Sequence, residues 1–198
     1  MAKNDLKFDV RVPNTVEEAL QFDKDNDNDL WAKSIEKELK NVRIAFELLQ
    51  EGEKIPVGSK LIPYHFIFDV KYDLTWKSRC VAGGHCNKNV PAHTTYSSVV
   101  PRDSIRLTLM LAALNGLSVL SVDIGNAYLN AKNREKTHVI CGKELFGAEN
   151  EGKVAIVVCA LYGLKSVGAV WQHHFSSYIT DTLGFESKMA DPECILSP

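Results

Sequence analysis

One apolar run in this sequence ends on an acid, and this ending constrains the fold strongly. Residues 117–123, LSVLSVD, finish at Asp123, and Gly125, Asn126 and Ala127 follow closely. An apolar run of this length predicts a buried β-strand. A carboxylate at the end of a buried strand is costly unless it is paired or binds a cation. The alternative is that Asp123 only caps the turn that follows.

The residue types after this acid suit a magnesium site beside a phosphate-bearing ligand. Mg²⁺ takes carboxylate and carbonyl oxygens and keeps waters for the phosphate groups of a substrate. Small residues would let backbone N–H groups approach phosphate oxygens. Tyr128 would then form a flat wall beside a bound sugar. In the competing interpretation, Tyr128 is a core residue.

Helical and strand patterns are mixed along the rest of the chain without regular βαβ alternation, which favours an α+β fold. Helices are predicted in LWAKSIEKELKNV, SIRLTLMLAALNG and GAVWQHHFSSYITDTLG, and strands in LIPYHFIFDVKYD, TWKSRCVAGG, THVICG and KVAIVVCAL. The first two of these strands, separated by a short polar turn, predict an antiparallel hairpin. Asp29 is a candidate N-cap for the first helix and Asp103 or Ser104 for the second. Residues 21–29, QFDKDNDND, predict a solvated loop.

Charge and cysteine usage exclude some classes of protein. The net charge is −2 over 198 residues, so any basic surface that attracts nucleic acid must be local. Five scattered cysteines without a CxxC pair predict reduced thiols. No signal-peptide core begins the sequence. We therefore expect an intracellular protein of the cytoplasm or nucleus, not a secreted one.

Four stretches in a fixed order resemble the reverse transcriptase domain of copia-type LTR retrotransposons. WAKSIEKELKN is similar to the W-x-x-A-x-x-x-E pattern of that family. IFDVKYDLTWKSRCVAGG with TTYSSVVPRDSIRLTLMLAAL resembles its basic hairpin and following segment. CALYGLKSVGAVWQHHF with LGFESKMADPECIL resembles its L-Y-G-L-K motif and continuation. Together with the stretch around Asp123, these motifs cover residues 30–196.

The resemblance implies an RNA-directed DNA polymerase with a right-hand fold of fingers, palm and thumb. This chain would be a partial right-hand fold with an antiparallel sheet packed on helices. Residues 1–29 would be an N-terminal extension, residues 30–116 a fingers-like region and residues 117–198 a partial palm. The implied partners are an RNA or DNA template-primer and a deoxynucleoside triphosphate, and no membrane.

Site residues follow from the matched motifs. Asp123 stands at the first metal-binding catalytic aspartate, and Ile124 would offer its backbone carbonyl to the metal. Tyr128 stands where retroviral relatives block a ribose 2′-OH. The residues that the resemblance assigns to nucleotide binding are Lys77, Arg79, Ile124, Gly125, Asn126, Ala127, Tyr128, Tyr162, Gly163 and Lys165. Arg79 in particular has the forked guanidinium that suits phosphate oxygens.

The resemblance also implies two-metal nucleotidyl transfer, for which the family supplies three carboxylates. Two of them belong to a Y-x-D-D turn, and this sequence contains no such turn. The later aspartates are Asp181, on a predicted helix, and Asp191, which matches a family position upstream of that turn. We expect a truncated domain in which Mg²⁺ binding is weak or absent and which does not polymerise DNA alone.

Two other interpretations remain open. The first is a non-catalytic remnant that binds nucleic acid or a protein. The second, which the spacing disfavours, is a zinc site formed by Cys80, His85, Cys86 and His93. We also expect self-association through an exposed sheet edge, because a palm without its last strands leaves that edge unpaired.

Overall fold

The computed structural model describes residues 6–88, 90–91, 95–188 and 191–196. The α-helices of these residues are α1 (Val16–Asp25), α2 (Leu30–Val42), α3 (Arg102–Leu114), α4 (Lys143–Phe146) and α5 (Val167–Ser177). The strands are β1 (Leu6–Lys7), β2 (Val10–Arg11), β3 (Phe46–Leu48), β4 (Lys60–Leu61), β5 (Tyr64–Val70), β6 (Trp76–Ala82), β7 (Thr137–Ile140), β8 (Val154–Val157), β9 (Glu186–Lys188) and β10 (Asp191–Leu196). The predicted α+β class is confirmed.

The strands form small sheets. One four-stranded sheet has the order β3-β8-β7-β4, in which β4 is parallel to β7 and the other pairs are antiparallel. The hairpin β5–β6 is a separate antiparallel pair, as the sequence predicted. Strands β1 and β2, and β9 and β10, form two further antiparallel pairs. The parallel β4–β7 contact departs from the predicted all-antiparallel sheet.

Helix α2 covers the outer edge of β6 and satisfies part of its backbone. The Ser34 hydroxyl donates to the Trp76 carbonyl at 3.1 Å, and the Cys80 N–H donates to the Glu38 carboxylate at 2.9 Å. An uncovered strand edge would present unpaired backbone groups to solvent or to another chain. The same side of α2 buries Trp31, which packs edge-on against Phe68 with ring centroids 5.5 Å apart. The helix thereby joins the hairpin to the main core.

The chain before α2 differs from the predicted solvated loop. Residues 21–25 belong to α1, which Thr15 caps by accepting the Glu18 N–H, while the Asn14 N–H donates to the Glu18 carboxylate. This arrangement is a variant of the capping box, in which the returning bond comes from the residue before the cap. The buried Asp23 side chain, and not Asp29, accepts the first N–H groups of α2. The prediction failed because the capping partner comes from the preceding helix, eight residues away.

The predicted strand at residues 117–123 is wrong. Among the described residues this segment pairs with no strand, and it is exposed, with Leu120 at 86% and Val122 at 74% exposure. Helix α3 before it has the predicted extent and ends near Gly116. Its N-cap is Pro101, without a side-chain bond from Asp103 or Ser104. The local pattern indicated a tendency to be buried, but burial also needs a neighbouring strand, which no described residue supplies.

No helix among the described residues is both long and apolar enough to cross a membrane.

Candidate functional site

The hairpin β5–β6 presents two of the predicted cations on one face. Side chains alternate along β6, so Ser78, Cys80 and Ala82 are buried while Lys77 and Arg79 share the other face. Partial burial lowers the pKa of Lys77, and the positive charges of Arg79 and Lys71 lower it further. The two cations therefore repel each other, which is the arrangement expected of a surface that binds an anion.

A partly buried acid that the sequence analysis missed, Glu38, lies beside these cations. Burial raises the pKa of Glu38, while the hydrogen bond from the Cys80 N–H and the charges of Lys77 and Arg79 lower it. Glu38 therefore partly neutralises both cations from the α2 side. It is the glutamate of the W-x-x-A-x-x-x-E pattern, so its position in that motif was the available signal.

The segment around Tyr162 is fixed to the end of the hairpin by backbone contact. The Ala82 N–H donates to the Tyr162 carbonyl at 2.6 Å. Gly163 follows with φ of +91°, and a Cβ at this position would overlap the Ala82 carbonyl oxygen. Only glycine fits this close approach without strain. The structure thus gives Gly163 a definite role in docking the two segments.

An aromatic and charged group forms where three separate parts of the chain meet. The Tyr162 ring lies edge-on to Tyr128 with centroids 5.1 Å apart, and the Arg79 guanidinium lies 5.8 Å from the Tyr162 ring centroid. Burial raises the pKa of Tyr162, Arg79 lowers it, and the charges of Glu38, Tyr128 and Asp123 raise it. Asp123 is thus within electrostatic range. We call Arg79, Asp123, Tyr128 and Tyr162 the nucleotide-facing cluster, after the nucleotide site that the family resemblance predicts for this part of the chain.

The turn between Asp123 and Tyr128 has an open outer surface. Asn126 adopts a left-handed conformation with φ of +51°, and its carbonyl accepts the Leu129 N–H at 2.9 Å. A Cβ added at Gly125 would meet no atom within 4 Å. Ala127 begins a 3₁₀ turn that carries Tyr128 towards Tyr162. The space beside Gly125 is therefore open among the described residues.

Comparison with known proteins identifies the family. The model of a protein family described as "Reverse transcriptase (RNA-dependent DNA polymerase)" matches residues 49–193. These residues include the whole nucleotide-facing cluster. The chain belongs to the reverse transcriptase family. Its relatives are copia-type polyproteins, which confirms the resemblance that the motifs indicated.

Two relatives show the extent of the similarity. The chain is 32% identical over 132 residues to the Transposon Ty1-DR4 Gag-Pol polyprotein of Saccharomyces cerevisiae, covering 64% of this chain and 8% of the polyprotein. It is 26% identical over 185 residues to the Retrovirus-related Pol polyprotein from transposon TNT 1-94 of Nicotiana tabacum, covering 88% of this chain and 13% of the polyprotein. The chain thus spans a small part of these curated relatives. No solved structure matches it.

Lys165 and Ile124 are predicted site residues of this reverse transcriptase domain. The contacts described for them do not involve residues of the nucleotide-facing cluster. The Lys165 ammonium donates to the Asn87 carbonyl at 2.8 Å and so fastens the loop after β6. Ile124 is partly exposed, with 39% of its surface accessible, and lies in the segment without regular secondary structure before the turn. A contact of either residue with a nucleotide stays a prediction.

The residues present do not form a site for the two divalent ions that such enzymes use. Asp123 is exposed, and among the described residues no group of three His, Cys, Asp or Glu side chains could hold a metal. Two cations need several carboxylates to hold them. The structure does not support the zinc site either, since Cys80 is buried and Cys86 is exposed. His93 lies outside the described residues.

Proposed function

We propose that this chain is the nucleotide-facing part of a copia-type reverse transcriptase domain. Residues 30–116 correspond to fingers and residues 117–198 to part of a palm in the right-hand polymerase fold. Its ligands are a deoxynucleoside triphosphate and an RNA or DNA template-primer. The family match supports the class of enzyme, and the geometry supports these residue roles.

One observation carries the proposal. Arg79, Tyr128 and Tyr162 come from segments up to 83 positions apart, yet they meet in one partly exposed group, and Asp123 lies within electrostatic range of it. In this arrangement Lys77 and Arg79 hold the triphosphate by charge-assisted hydrogen bonds. The open turn at Gly125, Asn126 and Ala127 offers backbone N–H groups to the same anion.

The aromatic pair has a separate task in the proposal. Tyr162 is held by the hairpin backbone, and Tyr128 packs against its ring. A rigid aromatic edge beside the sugar would exclude a ribose 2′-hydroxyl by occupying its space, so the site would select deoxyribonucleotides. Lys165 holds the loop after β6 by its bond to the Asn87 carbonyl.

We further propose that these 198 residues bind nucleotides without polymerising DNA. Asp123 is one carboxylate, and no described carboxylate lies with it in a metal-ligating group. A single exposed acid competes poorly with water for Mg²⁺. The alternative function, a non-catalytic module that binds nucleic acid or a protein, would share this inactivity but would not require the nucleotide-facing cluster.

Two assays on the full chain separate these possibilities. The first is extension of a primed RNA template with Mg²⁺ or Mn²⁺, for which we expect no product. The second is calorimetric titration with thymidine triphosphate. We expect saturable binding that Arg79→Gln weakens tenfold or more, since a hydrogen bond to a charged group contributes roughly 1.5–3 kcal/mol.

Arg106→Gln is the matched control, because Arg106 is an exposed arginine on α3 with only a 3.7 Å ion pair to Asp103. Binding equal in Arg79→Gln and Arg106→Gln would refute the nucleotide site. Primer extension by the unaltered chain would refute the proposed inactivity while leaving the nucleotide site intact.

We also propose that the chain self-associates through the segment after α3. This segment exposes Leu117, Leu120 and Val122, and it has no regular secondary structure and no described strand partner. Soluble monomers rarely expose a contiguous apolar patch of this kind. Sedimentation across a wide concentration range should show association that Val122→Lys reduces. Val57→Lys, at a site 93% exposed in another loop, should leave it unchanged; a monomer at every concentration would refute the proposal.

A further inference from the structure

A second concave surface lies away from the nucleotide-facing cluster. A cavity of about 500 Å³ opens between the start of β7 and the N-terminal end of α5. Three cations line it, Lys60, Arg134 and Lys136, and none of the cluster residues does. We call this cavity the basic pocket. A cleft lined by one sign of charge concentrates the electric field and attracts ligands of the opposite sign.

The backbone fixes the three cations beside one another. Lys60 begins β4, whose parallel pairing places it opposite Thr137, and its N–H donates to the Lys136 carbonyl at 2.8 Å. Arg134 and Lys136 are exposed on either side of the buried Glu135. The cluster of charge is therefore a property of the strand pairing and not of flexible side chains that meet by chance.

The carboxylate in the pocket is occupied by other donors. One Glu135 oxygen accepts the Ser166 N–H and hydroxyl, both at 2.9 Å, and the other accepts the Asn87 amide at 2.8 Å. Within the described part of the chain, none of the three cations lies in an ion pair. With one carboxylate against three cations, the lining carries a net charge of +2.

The net positive charge of the basic pocket contrasts with the negative net charge of the whole chain. The chain has a net charge of −2, so it does not attract anions in bulk. Like charges held together without partners destabilise a fold slightly, and such an arrangement is typical of a surface that binds an anionic ligand. The wall formed by Pro91, Ala169 and Val170 is apolar and extends the cavity beyond the size of one phosphate.

We propose that the basic pocket binds the phosphate backbone of a single nucleic-acid strand. Lys60, Arg134 and Lys136 contact successive phosphates, and the apolar wall contacts a sugar or base between them. The pocket would act as a second grip on the nucleic acid, separate from the nucleotide-facing cluster. The proposal does not depend on the nucleotide site, since the two surfaces share no cation.

The test uses the full chain and a fluorescein-labelled oligothymidylate, with binding followed by anisotropy at several salt concentrations. The variant K60Q/R134Q/K136Q removes the pocket's positive charge. For single strands the slope of log affinity against log salt changes by about 0.7 for each phosphate contact. We therefore expect the slope to fall by about 2 and the affinity at low salt to fall at least tenfold.

The matched control is K24Q/R106Q/K153Q, which removes two lysines and one arginine from exposed positions outside the pocket. We expect near-unchanged slope and affinity in this variant, and an unchanged melting temperature in both. Equal losses in the two triple variants would overturn the proposal, because only overall charge would then matter. No loss in K60Q/R134Q/K136Q would overturn it as well.

Competition identifies the source of the phosphate. Unlabelled oligothymidylate should displace the probe at far lower phosphate concentration than thymidine monophosphate or inorganic phosphate. Displacement by either small anion at the same phosphate concentration would overturn the assignment to a strand. Arg79→Gln in the same assay separates the two sites. Loss of oligonucleotide binding in Arg79→Gln alone would contradict the basic pocket and leave the nucleotide site standing.

Discussion

The helices α2 and α3 are both thirteen residues long, yet they stand in opposite environments. Helix α2 buries Trp31, Ile35, Leu39 and Val42, each less than 8% exposed, against the hairpin. Helix α3 and the segment after it leave large apolar side chains open to solvent: Ile105, Leu107, Leu109, Met110, Leu111, Leu114, Leu117, Val119, Leu120 and Val122. An apolar pattern therefore specifies a tendency to be buried, and the partner must come from elsewhere.

The difference also locates the rigid part of the site. Arg79 and Tyr162 belong to the well-packed region, where α2 covers the edge of β6 and Gly163 lies against Ala82. Asp123 and Gly125 follow the exposed segment. The proposed site thus joins a well-packed half to a weakly supported half, and substitutions in the two halves should differ in their effect on stability.

The largest expected effect is at the contact between the hairpin and the Tyr162 segment. Gly163→Ala should lower the free energy of unfolding by about 4 kcal/mol, because it combines a left-handed backbone with backbone overlap. Gly152→Ala is the control, since Gly152 has φ of +80° but open space around it, and it should cost only about 1 kcal/mol. Urea unfolding of both variants gives the comparison, and equal losses would mean that the docking contact is absent.

The next effect compares the two helices directly. Leu39→Ala on α2 should cost about 3 kcal/mol, because it removes a buried side chain and leaves a cavity. Leu111→Ala on α3 should cost less than about 1 kcal/mol, since that side chain is 49% exposed. Chemical unfolding measures both losses. A loss in Leu111→Ala as large as in Leu39→Ala would show that α3 is covered in solution.

A smaller effect tests the start of α2. Asp23→Ala should cost about 1–2 kcal/mol, because the Trp31 and Ala32 N–H groups lose their acceptor. Asp29→Ala removes only an exposed ion pair with Lys33 and should be nearly neutral. Thermal unfolding distinguishes them. The reverse order would restore Asp29 as the cap that the sequence indicated.

The smallest expected effect is on how stability changes with pH. Burial lowers the pKa of His138, whose Nδ1 lies 2.8 Å from the Ser59 hydroxyl. The unfolded chain therefore takes up a proton at higher pH than the folded chain does. The stability that the neutral ring contributes is complete above pH about 6.5 and is lost as pH falls through that value. Melting temperatures from pH 8 to pH 5 should fall less steeply in His138→Gln; equal slopes would contradict this.

Periodicity predicted the elements that are stabilised within the described chain. The four apolar positions of α2 and the β-rich runs of the hairpin were sufficient, because each of these elements has a packing partner within the described chain. The predicted strand at residues 117–123 failed for the opposite reason, since it requires a partner strand. The capping of α2 by Asp23 was also missed, because it depends on how α1 packs.

The family resemblance predicted which residues belong to the candidate site, but not how they touch. It assigned roles to Arg79, Tyr128 and Tyr162 separately, while the edge-on contact of the two tyrosines follows only from tertiary packing. Glu38 escaped notice because a glutamate on a helix is ordinarily solvated. Its partial burial beside Lys77 depends on how α2 crosses the strand edge.

The most direct test of the central claim is an NMR titration of the full chain with thymidine triphosphate. Amide signals from residues 77–82, 123–128 and 160–165 should shift together. Their shifts should fit one dissociation constant, because the three segments form a single site. Signals around Lys136 should stay nearly still. Shifts confined to one of the three segments, or different constants for each, would contradict the account.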